Sequence, residues 1–375
     1  MKRVYLDNNA STFVDPSVID VIKNALYTYP GNPSSSHQYG REARRLLIES
    51  RETIASYLNV RPKEILFTSG GTEGANMLLR GVAQLEKGHL ITSNLEHACV
   101  YALLPFIKAC GWEVTVLSPG LKGAVSLEEV RSSLRSDTKL IALMAVNNET
   151  GVKTNIQEIS QLAEENRISF FVDGVALFGK ETFKIPLGVS AMSFSGHKFH
   201  APKGCGFMYV KSSLKLHPLL MGGEQEYNRR GGTENLADIA GMAEAVKILS
   251  HCLPEASLNM LRLRNYFESS LINSFGDRIR INGEGERVCN TVNIAFKGVD
   301  GETLLAALDM AGVSASHGSA CASGALEPSR ILLNMGIPLD RARESIRFSI
   351  SRFTTQDDVD AALQILHTLL KKFMK

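Results

Sequence analysis

The sequence predicts an α/β protein with a larger domain, built on a mostly parallel sheet covered by helices, and a smaller α+β domain. The chain has 375 residues, enough for one domain of roughly 200–250 residues and a second, smaller one. Short apolar runs alternate with helical patterns from about residue 60 to 250, which is typical of a parallel sheet covered on both faces. Beyond residue 250 this alternation stops, which indicates a different architecture.

Strands are predicted where β-branched or apolar runs end in turn residues. The first, Ile65-Leu-Phe-Thr68, precedes a Gly-rich turn and a helix that extends to about residue 85. Further strands are predicted at 89–92, 113–117, 140–146 and 169–173, and helices near 98–110, 125–135 and 156–166.

The C-terminal part begins with a helical stretch over about 234–252, and Cys252-Leu-Pro-Glu255 predicts a hinge after it. Thr355 followed by Asp358 is typical of the start of a terminal helix. We therefore expect a large domain over residues 14–250 and a small domain formed by residues 1–13 and 251–375. Between the hinge and the terminal helix we predict a helix at 257–273, a strand at 291–296, a helix at 302–311 and a strand at 345–350.

Charge and cysteine content exclude several classes of protein. Lys and Arg total 41 against 39 Asp and Glu, so neither a nucleic-acid nor a membrane-surface partner is expected. The first residues contain no apolar run of signal-peptide length, and we expect a cytoplasmic location. No two of the six cysteines form a CxxC pair, so no metal site is predicted.

Lys198 lies in Ser195-Gly196-His197-Lys198, between an apolar stretch and a Gly-rich turn. Small and hydroxyl residues around a lysine fit a Schiff-base lysine. Ser195 and His197 can donate to a phosphate while Lys198 reaches an aldehyde carbon. A solvated surface lysine, which is the commoner case, is the alternative.

Asp173 ends the hydrophobic segment that begins at Phe170, 25 residues before Lys198. Ligand sites of α/β proteins lie at the C-terminal ends of strands. A buried Asp needs a cationic partner, and a protonated pyridine nitrogen would be one. An Asp that caps the next turn is the alternative, but the acid and the lysine together favour pyridoxal phosphate (PLP).

The segment Ser69-Gly70-Gly71-Thr72 follows a predicted strand and opens a helix. Glycine N–H groups can approach an anion, and a helix N-terminus favours negative charge. The segment therefore predicts a phosphate-binding turn, although it is neither a P-loop nor a GxGxxG motif. An ordinary Gly-rich turn is the alternative.

Two more polar segments follow predicted strands. His97 follows the strand at 89–92, where an imidazole could stack on a pyridine ring and exchange protons near neutral pH. Asn147 and Asn148 follow the strand at 140–146 and could hydrogen-bond a ring hydroxyl. The alternatives are a structural histidine and a turn-forming Asn pair.

Taken together, these segments resemble the NifS/IscS family of cysteine desulfurases. The similarity extends from Tyr5 to Ser349 and rests on SGGTEGAN, LEHACV, NNETG, FFVDG, SFSGHK, RRGGTEN and HGSACASG, in that order. The resemblance implies a fold-type I PLP enzyme of the class V aminotransferase type, with a seven-stranded sheet in its large domain. It also implies a homodimer with active sites at the subunit interface.

The resemblance implies roles for individual residues around the cofactor. Lys198 matches the lysine that binds PLP as a Schiff base, His97 the histidine stacked on the ring, and Asp173 the acid paired with the pyridine nitrogen. Contacts to the phosphate of the cofactor are implied for Gly71, Thr72, Ser195 and His197. One further phosphate contact is implied for Thr233, which would come from the other subunit.

For the substrate, Asn148 matches a residue beside the ring and the amino acid. Arg347 matches the guanidinium that binds the substrate carboxylate, a task suited to a planar bidentate donor. Cys321 matches the cysteine that receives the sulfur. Small residues surround it in HGSACASG and predict a mobile loop, which would let the thiol reach first the substrate and then an acceptor. We interpret the other five cysteines as structural.

The implied reaction removes sulfur from L-cysteine and gives L-alanine and a persulfide on Cys321. His97 is implied to exchange protons with the thiol groups. The long form of the loop implies delivery to a sulfur acceptor or scaffold protein for iron–sulfur cluster assembly. Two alternatives stay open. One is another class V PLP enzyme, such as an aminotransferase or a selenocysteine lyase, and the other is a catalytically weak scaffold for sulfur-transfer proteins.

The chain departs from the family pattern at two positions. Ala176 stands where Gln commonly bonds the phenolic oxygen of the cofactor, which removes a contact of about 1–2 kcal/mol. This change motivates the scaffold alternative. Glu224 stands where a third glycine is usual, and nothing in the sequence explains it.

Overall fold

A seven-stranded, a three-stranded and a two-stranded sheet organise the chain, which is described here by a computed structural model covering residues 3–318 and 328–374. The strands are short and mostly buried on both faces. In chain order they are β1 (Val4–Tyr5), β2 (Ile65–Thr68), β3 (His89–Ser93), β4 (Glu113–Leu117), β5 (Thr138–Met144), β6 (Ser169–Asp173), β7 (Ala191–Ser195), β8 (Gly206–Val210), β9 (Ile279–Ile281), β10 (Thr291–Phe296), β11 (Val313–Ser314) and β12 (Ser345–Ser349).

Helices cover the sheets and connect their strands. In chain order they are α1 (Pro16–Thr28), α2 (Gln38–Leu58), α3 (Gly71–Ala83), α4 (Ala98–Tyr101), α5 (Leu104–Ala109), α6 (Leu127–Ser132), α7 (Ile156–Glu165), α8 (Gln225–Asn228), α9 (Leu236–Phe275), α10 (Gly301–Met310), α11 (Arg330–Asn334), α12 (Leu339–Arg343) and α13 (Gln356–Phe373). Within the described ranges, no helix combines the length and the apolar composition required to cross a bilayer.

The larger sheet has seven strands in the order β2-β8-β7-β6-β5-β3-β4. Only β8 runs antiparallel to its neighbours, which confirms the predicted mostly parallel, seven-stranded sheet. Phe170 and Phe171 point to opposite faces of β6, and both are fully buried. Burial on both faces explains why these strands appear in the sequence as continuous apolar runs.

The parallel strands place their C-terminal ends at one edge of the sheet. Met144 of β5 pairs with Asp173 of β6, which in turn pairs with Ser193 of β7. The turns after β2, β3 and β5 leave the sheet at this same edge. Except for Thr233, the residues predicted to bind a cofactor lie at or after such strand ends, so the topology gathers segments that are far apart in sequence.

The smaller sheet has three antiparallel strands in the order β12-β10-β9. The strand predicted at 291–296 is confirmed, and the one predicted at 345–350 ends one residue earlier. Val4 of β1 pairs with Val313 of β11, and Asp7 forms a bridge with Ser349. These pairings support the assignment of residues 1–13 to the small domain, although the domain boundaries stay a prediction.

The hinge predicted at Cys252–Glu255 is wrong, because α9 continues through Pro254 without a break. A proline inside a helix removes one main-chain hydrogen bond. Buried side chains on both sides of it, among them Leu253 and Met260, pack into the main core. Burial of such side chains is worth about 2 kcal/mol each, which offsets the lost hydrogen bond.

The predicted elements differ from the structure in a few other places. The helix predicted at 98–110 is two short helices, α4 and α5, since Pro105 in the first turn of α5 favours a new helix start over continuation. Strands β7 and β8 and helices α1 and α2 were not predicted. Thr355 forms the predicted cap of α13, with a reciprocal capping box to Asp358.

Candidate active site

A cavity of about 180 Å³ lies at the C-terminal edge of the large sheet, and one of its walls comes from the small sheet. Its lining combines five turns of the large sheet, the segment after β1 and one residue of β12. Nine predicted site residues line it: Gly71, Thr72, His97, Asn148, Asp173, Ser195, His197, Lys198 and Arg347.

The N-terminus of α3 forms one end of the cavity. Gly70 has φ +150°, a conformation that L side chains rarely adopt. A Cβ on Gly71 would lie 2.5 Å from Cγ2 of Val175, so only glycine fits there. Thr72, Ser195 and other hydroxyl groups surround an adjoining opening, which makes this end suited to an anion.

Lys198 ends a short 3₁₀ turn after β7. Its Nζ donates to the main-chain oxygens of Asn9 and Ala10, at 3.0 Å for Ala10. These acceptors belong to the segment after β1, so the amine connects the turn after β7 to that segment. The side chain is half-buried and faces the cavity.

Asp173 is buried at the end of β6, with 6% of its surface exposed. Its Oδ1 accepts the Val175 N–H at 3.0 Å, and Sγ of Cys99 lies 3.9 Å from Oδ2. Burial raises the pKa of this carboxyl above its ordinary value, against the lowering effect of His97. A positive charge in the cavity would therefore stabilise the ionised form.

His97 caps α4, with its Nδ1 accepting the N–H of Cys99 at 3.2 Å. Burial lowers the pKa of the ring below its usual value, against the raising effect of Asp173, and the charges of Lys198 and Arg330 lower it further. The imidazole is therefore neutral near pH 7. Since Nδ1 accepts a hydrogen bond, we assign the ring proton to Nε2.

Arg330 connects the turn before His97 to the C-terminal part of the chain. Its guanidinium donates to the main-chain oxygens of Asn94 at 2.6 Å and Glu96 at 2.5 Å, and it lies over the ring of Tyr101. The sequence did not single out Arg330, because only the fold brings it to the turn after β3. Its contacts fix the position from which His97 enters the cavity.

Arg347 lies on β12 and is 1% exposed. One guanidinium nitrogen contacts the Asp7 carboxylate at 2.8 Å and another donates to the main-chain oxygen of Asn148 at 3.0 Å. Within the described residues, its buried Nε and the Oδ1 of Asn148 have no hydrogen-bond partner. The sequence missed Asp7, which also accepts a hydrogen bond from Ser316 at 2.8 Å.

Cys321, the predicted sulfur-accepting residue, lies outside the described residues. The chain on either side of that gap is held at the cavity. Ser316 contacts Asp7, as noted, and its main chain bridges to Arg347. On the other side, Ser329 donates to the buried carboxylate of Glu149, whose pKa is raised by burial.

Thr233, the phosphate ligand expected from another subunit, does not line the cavity of its own chain. Its side chain is exposed, and its Oγ1 lies 3.5 Å from Nδ2 of Asn32. Upstream of it, Glu226 is buried and paired with Arg51 at 2.7 Å. Arg230 pairs with Glu73, next to the anion-binding turn. Whether Thr233 reaches the cavity of a second subunit stays a prediction.

Cys99 is the one cysteine of the described residues that lines the cavity, although its sequence indicated only a structural role. Its sulfur, a ring nitrogen of His97 and a carboxylate oxygen of Asp173 lie within 4.8 Å of one another. Burial raises the pKa of the Cys99 thiol, so it is protonated. His97 and Asp173 are also the residues predicted to contact the cofactor ring, so a metal ion would compete with the ring for this space.

The cavity residues fit PLP on three observations. The glycine turn at α3 leaves room for a phosphate, and Asp173 is a buried acid that a pyridinium would stabilise. Lys198 lines the same cavity as Thr72, and the amide oxygen of Asn148 has no hydrogen-bond partner within the described residues. Ala176 lines the same cavity and contributes no polar group.

Comparisons with known proteins agree over nearly the whole chain. The family "Aminotransferase class-V" matches residues 4–362. A cysteine desulfurase of Nostoc sp. is 40% identical over 99% of this chain and 94% of its own length. Two solved structures are also similar. A NifS-like protein has a TM-score of 0.91 at 33% identity, covering 99% of this chain and 100% of its own.

The second structure is SspA in complex with cysteine, with a TM-score of 0.82 at 32% identity, covering 94% of this chain and 100% of its own. The matched regions cover 94–99% of this chain. The chain therefore belongs to the class-V aminotransferase family, and within it to the cysteine desulfurases of the NifS/IscS type.

Proposed function

We propose that this protein is a PLP-dependent cysteine desulfurase that converts L-cysteine to L-alanine and leaves a persulfide on Cys321. One observation carries the proposal. Nine residues predicted from six separate segments of the chain line a single cavity together with Lys180, and Asp7 contacts one of them, Arg347. The convergence of so many polar and titratable groups in one cavity is typical of a ligand-binding site.

The cofactor would be held by side chains from both ends of the cavity. Lys198 would attach it covalently, and Asp173 would neutralise its pyridine nitrogen. Thr72, Ser195 and His197 would bind its phosphate beside the N-terminus of α3. Once bound, PLP supplies an electron sink for the charge that develops at the substrate Cα.

Arg347 is the residue we assign to the carboxylate of cysteine. Its contact with Asp7 and the main chain of Asn148 holds the guanidinium in one orientation, with Nε left without a partner in the described residues. A substrate carboxylate that meets this group forms a charge-assisted hydrogen bond. Such orientation fixes the Cα–H bond relative to Lys198.

Proton movements are assigned to two residues. Nζ of Lys198 takes the proton from Cα, because the amine that attaches the cofactor lies in the cavity beside the bound substrate. His97, neutral with its proton on Nε2, exchanges protons with the thiol groups. The Cys321 thiolate then attacks the substrate sulfur. An S–S bond forms, the Cβ–S bond breaks, and protonation at Cβ gives alanine.

The thiolate of Cys321 is the reactive form. We therefore expect the rate of persulfide formation to fall at low pH. Ala176 removes one hydrogen bond to the cofactor, an effect of about 1–2 kcal/mol. That loss tunes the bound cofactor without preventing its attachment to Lys198.

Further features of the proposal concern assembly and delivery. We propose a homodimer in which Thr233 of each chain faces the other chain's cavity. Exposed apolar residues on and near α1, including Phe13, Leu26 and Tyr27 at 63%, 70% and 81% exposure, support such an interface. The acceptor of the sulfur is proposed to be a scaffold protein of iron–sulfur cluster assembly.

Mass spectrometry after incubation with L-cysteine tests the proposal. One extra sulfur atom is expected on the peptide that contains Cys321, together with release of alanine. Cys321→Ser should abolish both, whereas Cys252→Ser, a half-buried cysteine that does not line the cavity, should change neither. Sulfur found on Cys99 instead would contradict the assignment to Cys321.

A second measurement separates the alternatives. The purified protein should show the visible absorption of bound PLP, and Lys198→Ala should remove it. If Cys321→Ser forms alanine and sulfide at the full rate, the protein is another PLP enzyme of this family. If the protein is colourless and does not take up added PLP, the scaffold alternative is correct.

A further inference from the structure

Lys180 is a second lysine in the wall of the cavity. It follows the turn that carries Ala176 and is 2% exposed. Its Nζ donates to the main-chain oxygen of Lys198 at 2.7 Å. Its own carbonyl accepts hydrogen bonds from Ser257 of α9 and from Sγ of Cys289, the latter at 3.2 Å. Hydrogen bonds to the turn after β7 and to the C-terminal part of the chain therefore hold Lys180 in place.

The surroundings of Lys180 lack the partner that a buried ammonium normally requires. Within the described ranges, it forms no ion pair with an Asp or Glu. The titratable and charged groups that face it are Cys289 from the turn before β10, Arg352 from the turn after β12, and, after β7, His197, Lys198 and His200.

None of these groups carries a negative charge at neutral pH. The Cys289 thiol has its pKa raised to about 12 by burial, and His197 and His200 have theirs lowered to about 4 and about 3, also by burial. Burial in turn lowers the pKa of Lys180 to about 8. Elsewhere in the chain, buried Arg51 has its own carboxylate, Glu226.

A buried charge without a carboxylate is unfavourable for folding, so its presence calls for a functional explanation. Lys180 touches the main chain of Lys198 and faces the same cavity. A cation near an amine disfavours protonation of that amine. Asp173, which also faces Lys198, acts in the opposite direction, whereas His97 and His197, which face it too, have their pKa values lowered by burial and are neutral near pH 7.

We propose that Lys180 is a positioning residue for Lys198: its ammonium holds the Lys198 carbonyl and its charge keeps the Lys198 amine neutral. A neutral amine is the form that captures an aldehyde and takes a proton from the substrate. This inference rests on the proposed function, since it assigns to Lys198 the attachment of PLP.

The test uses cofactor-free protein and follows the rate of PLP uptake as a function of pH, by absorption. Lys180→Arg keeps the charge, Lys180→Gln keeps a donor for the Lys198 carbonyl, and Lys180→Met keeps neither. We expect the pH midpoint of uptake to rise by about one unit or more in the Gln and Met variants. The Arg variant should retain the midpoint of the unaltered protein.

Midpoints that are equal in the unaltered protein and in the Gln variant would overturn the role of the charge. Slower PLP uptake confined to the Met variant would also overturn the role of the charge, because only the hydrogen bond from Lys180 to the Lys198 carbonyl would then matter. If the Lys180 variants do not fold, the chemical labelling of lysines in the unaltered protein is measured as a function of pH instead. There Lys198 should react at lower pH than the exposed lysines, and equal reactivity would overturn the proposal.

The same experiment distinguishes this inference from the proposed function. Unaltered protein that takes up no PLP at any pH would contradict the proposed function itself. Uptake that Lys198→Ala abolishes, but that the Lys180 variants leave with an unchanged midpoint, would contradict only the role of Lys180.

Discussion

Two buried groups of charged residues lie within the same α/β part of the chain, and they are satisfied to very different degrees. Arg51 and Glu226 form a bidentate pair at 2.8 and 2.7 Å, and Glu226 also accepts the N–H of Phe67. Around the cavity, Asp173 and Lys180 are also buried, but their hydrogen bonds go to neutral groups, and neither forms a hydrogen-bonded ion pair within the described residues. The first group is complete within the chain, and the second is not.

The difference indicates what each group is for. A buried pair whose hydrogen bonds are all made contributes to one fixed conformation, here that of the segment leading to Thr233. Buried charges that lack partners lower stability and persist where a ligand or a reaction uses them. Unmatched charge, rather than burial alone, therefore marks the cavity as the functional site.

The largest effect is expected from Glu226→Gln. This change leaves the buried guanidinium of Arg51 without its carboxylate, and both side chains are at most 7% exposed. We expect the free energy of unfolding to fall by about 3 kcal/mol, measured by denaturant titration. The double variant Arg51→Met with Glu226→Gln should lose less than the single one. An equal or larger loss of stability in the double variant would show that Arg51 and Glu226 do not satisfy each other alone.

Asp173→Asn is expected to raise the free energy of unfolding, whereas Glu226→Gln is expected to lower it. The pKa of Asp173 is raised above its ordinary value of 3.8, so its contribution to stability is complete below pH 3.8 and is lost as the pH rises. Asparagine keeps the acceptor for Val175 but carries no charge. Cofactor-free variant protein should therefore be more stable than the unaltered protein at pH 7, with less dependence on pH.

The same variant should bind PLP about 10- to 100-fold more weakly, because a charged hydrogen bond is worth about 1.5–3 kcal/mol. Titration with PLP and denaturant unfolding at two pH values measure the two effects. A variant that loses both stability and affinity would contradict the comparison drawn here, since Asp173 would then behave like Glu226.

Arg347→Lys tests a residue whose hydrogen-bond donors are only partly paired within the described residues. Lysine keeps a positive charge beside Asp7 but cannot hold Asp7, the Asn148 carbonyl and a substrate carboxylate in one plane. We expect KM for cysteine to rise about 10-fold with a smaller change in kcat, from initial rates of alanine formation. A change confined to kcat would assign Arg347 to a different step.

The smallest effect is expected from Ser329→Ala. Ser329 caps α11 and donates to Glu149, and loss of such a cap costs about 1 kcal/mol. A modest fall in the melting temperature is expected, with unchanged PLP uptake, and Ser329→Thr should restore most of it. A strong loss of persulfide formation in Ser329→Ala would place this contact in the function of the Cys321 segment.

The large sheet could be predicted from the sequence because buried strands appear as short apolar runs between turn residues. The turns after β2, β3, β5 and β6 were identified for the same reason, and with them Thr72, His97, Asn148 and Asp173. Strand β7 was missed, since Ser193 and Ser195 interrupt the apolar stretch that precedes Lys198. Lys198 was found instead from the motif that follows it.

Other residues of the site depend on contacts between distant segments. Asp7 contacts Arg347, and Arg330 contacts the turn before His97, in each case across more than 200 residues, and no local pattern predicts such contacts. Lys180 looks like a surface lysine in the sequence, and only its burial shows otherwise. The hinge at Pro254 was wrong because a local helix breaker was given more weight than the packing on both sides of it.

The continuous α9 limits how the two parts of the chain can move. Its 40 residues span about 60 Å at the helical rise per residue, from the flank of the large sheet to the small one. An unbroken helix of this length transmits tilt from one end to the other. Any closing motion of Arg347 toward Lys198 on substrate binding must therefore bend or tilt the helix as a whole, so its amplitude at the cavity will be small.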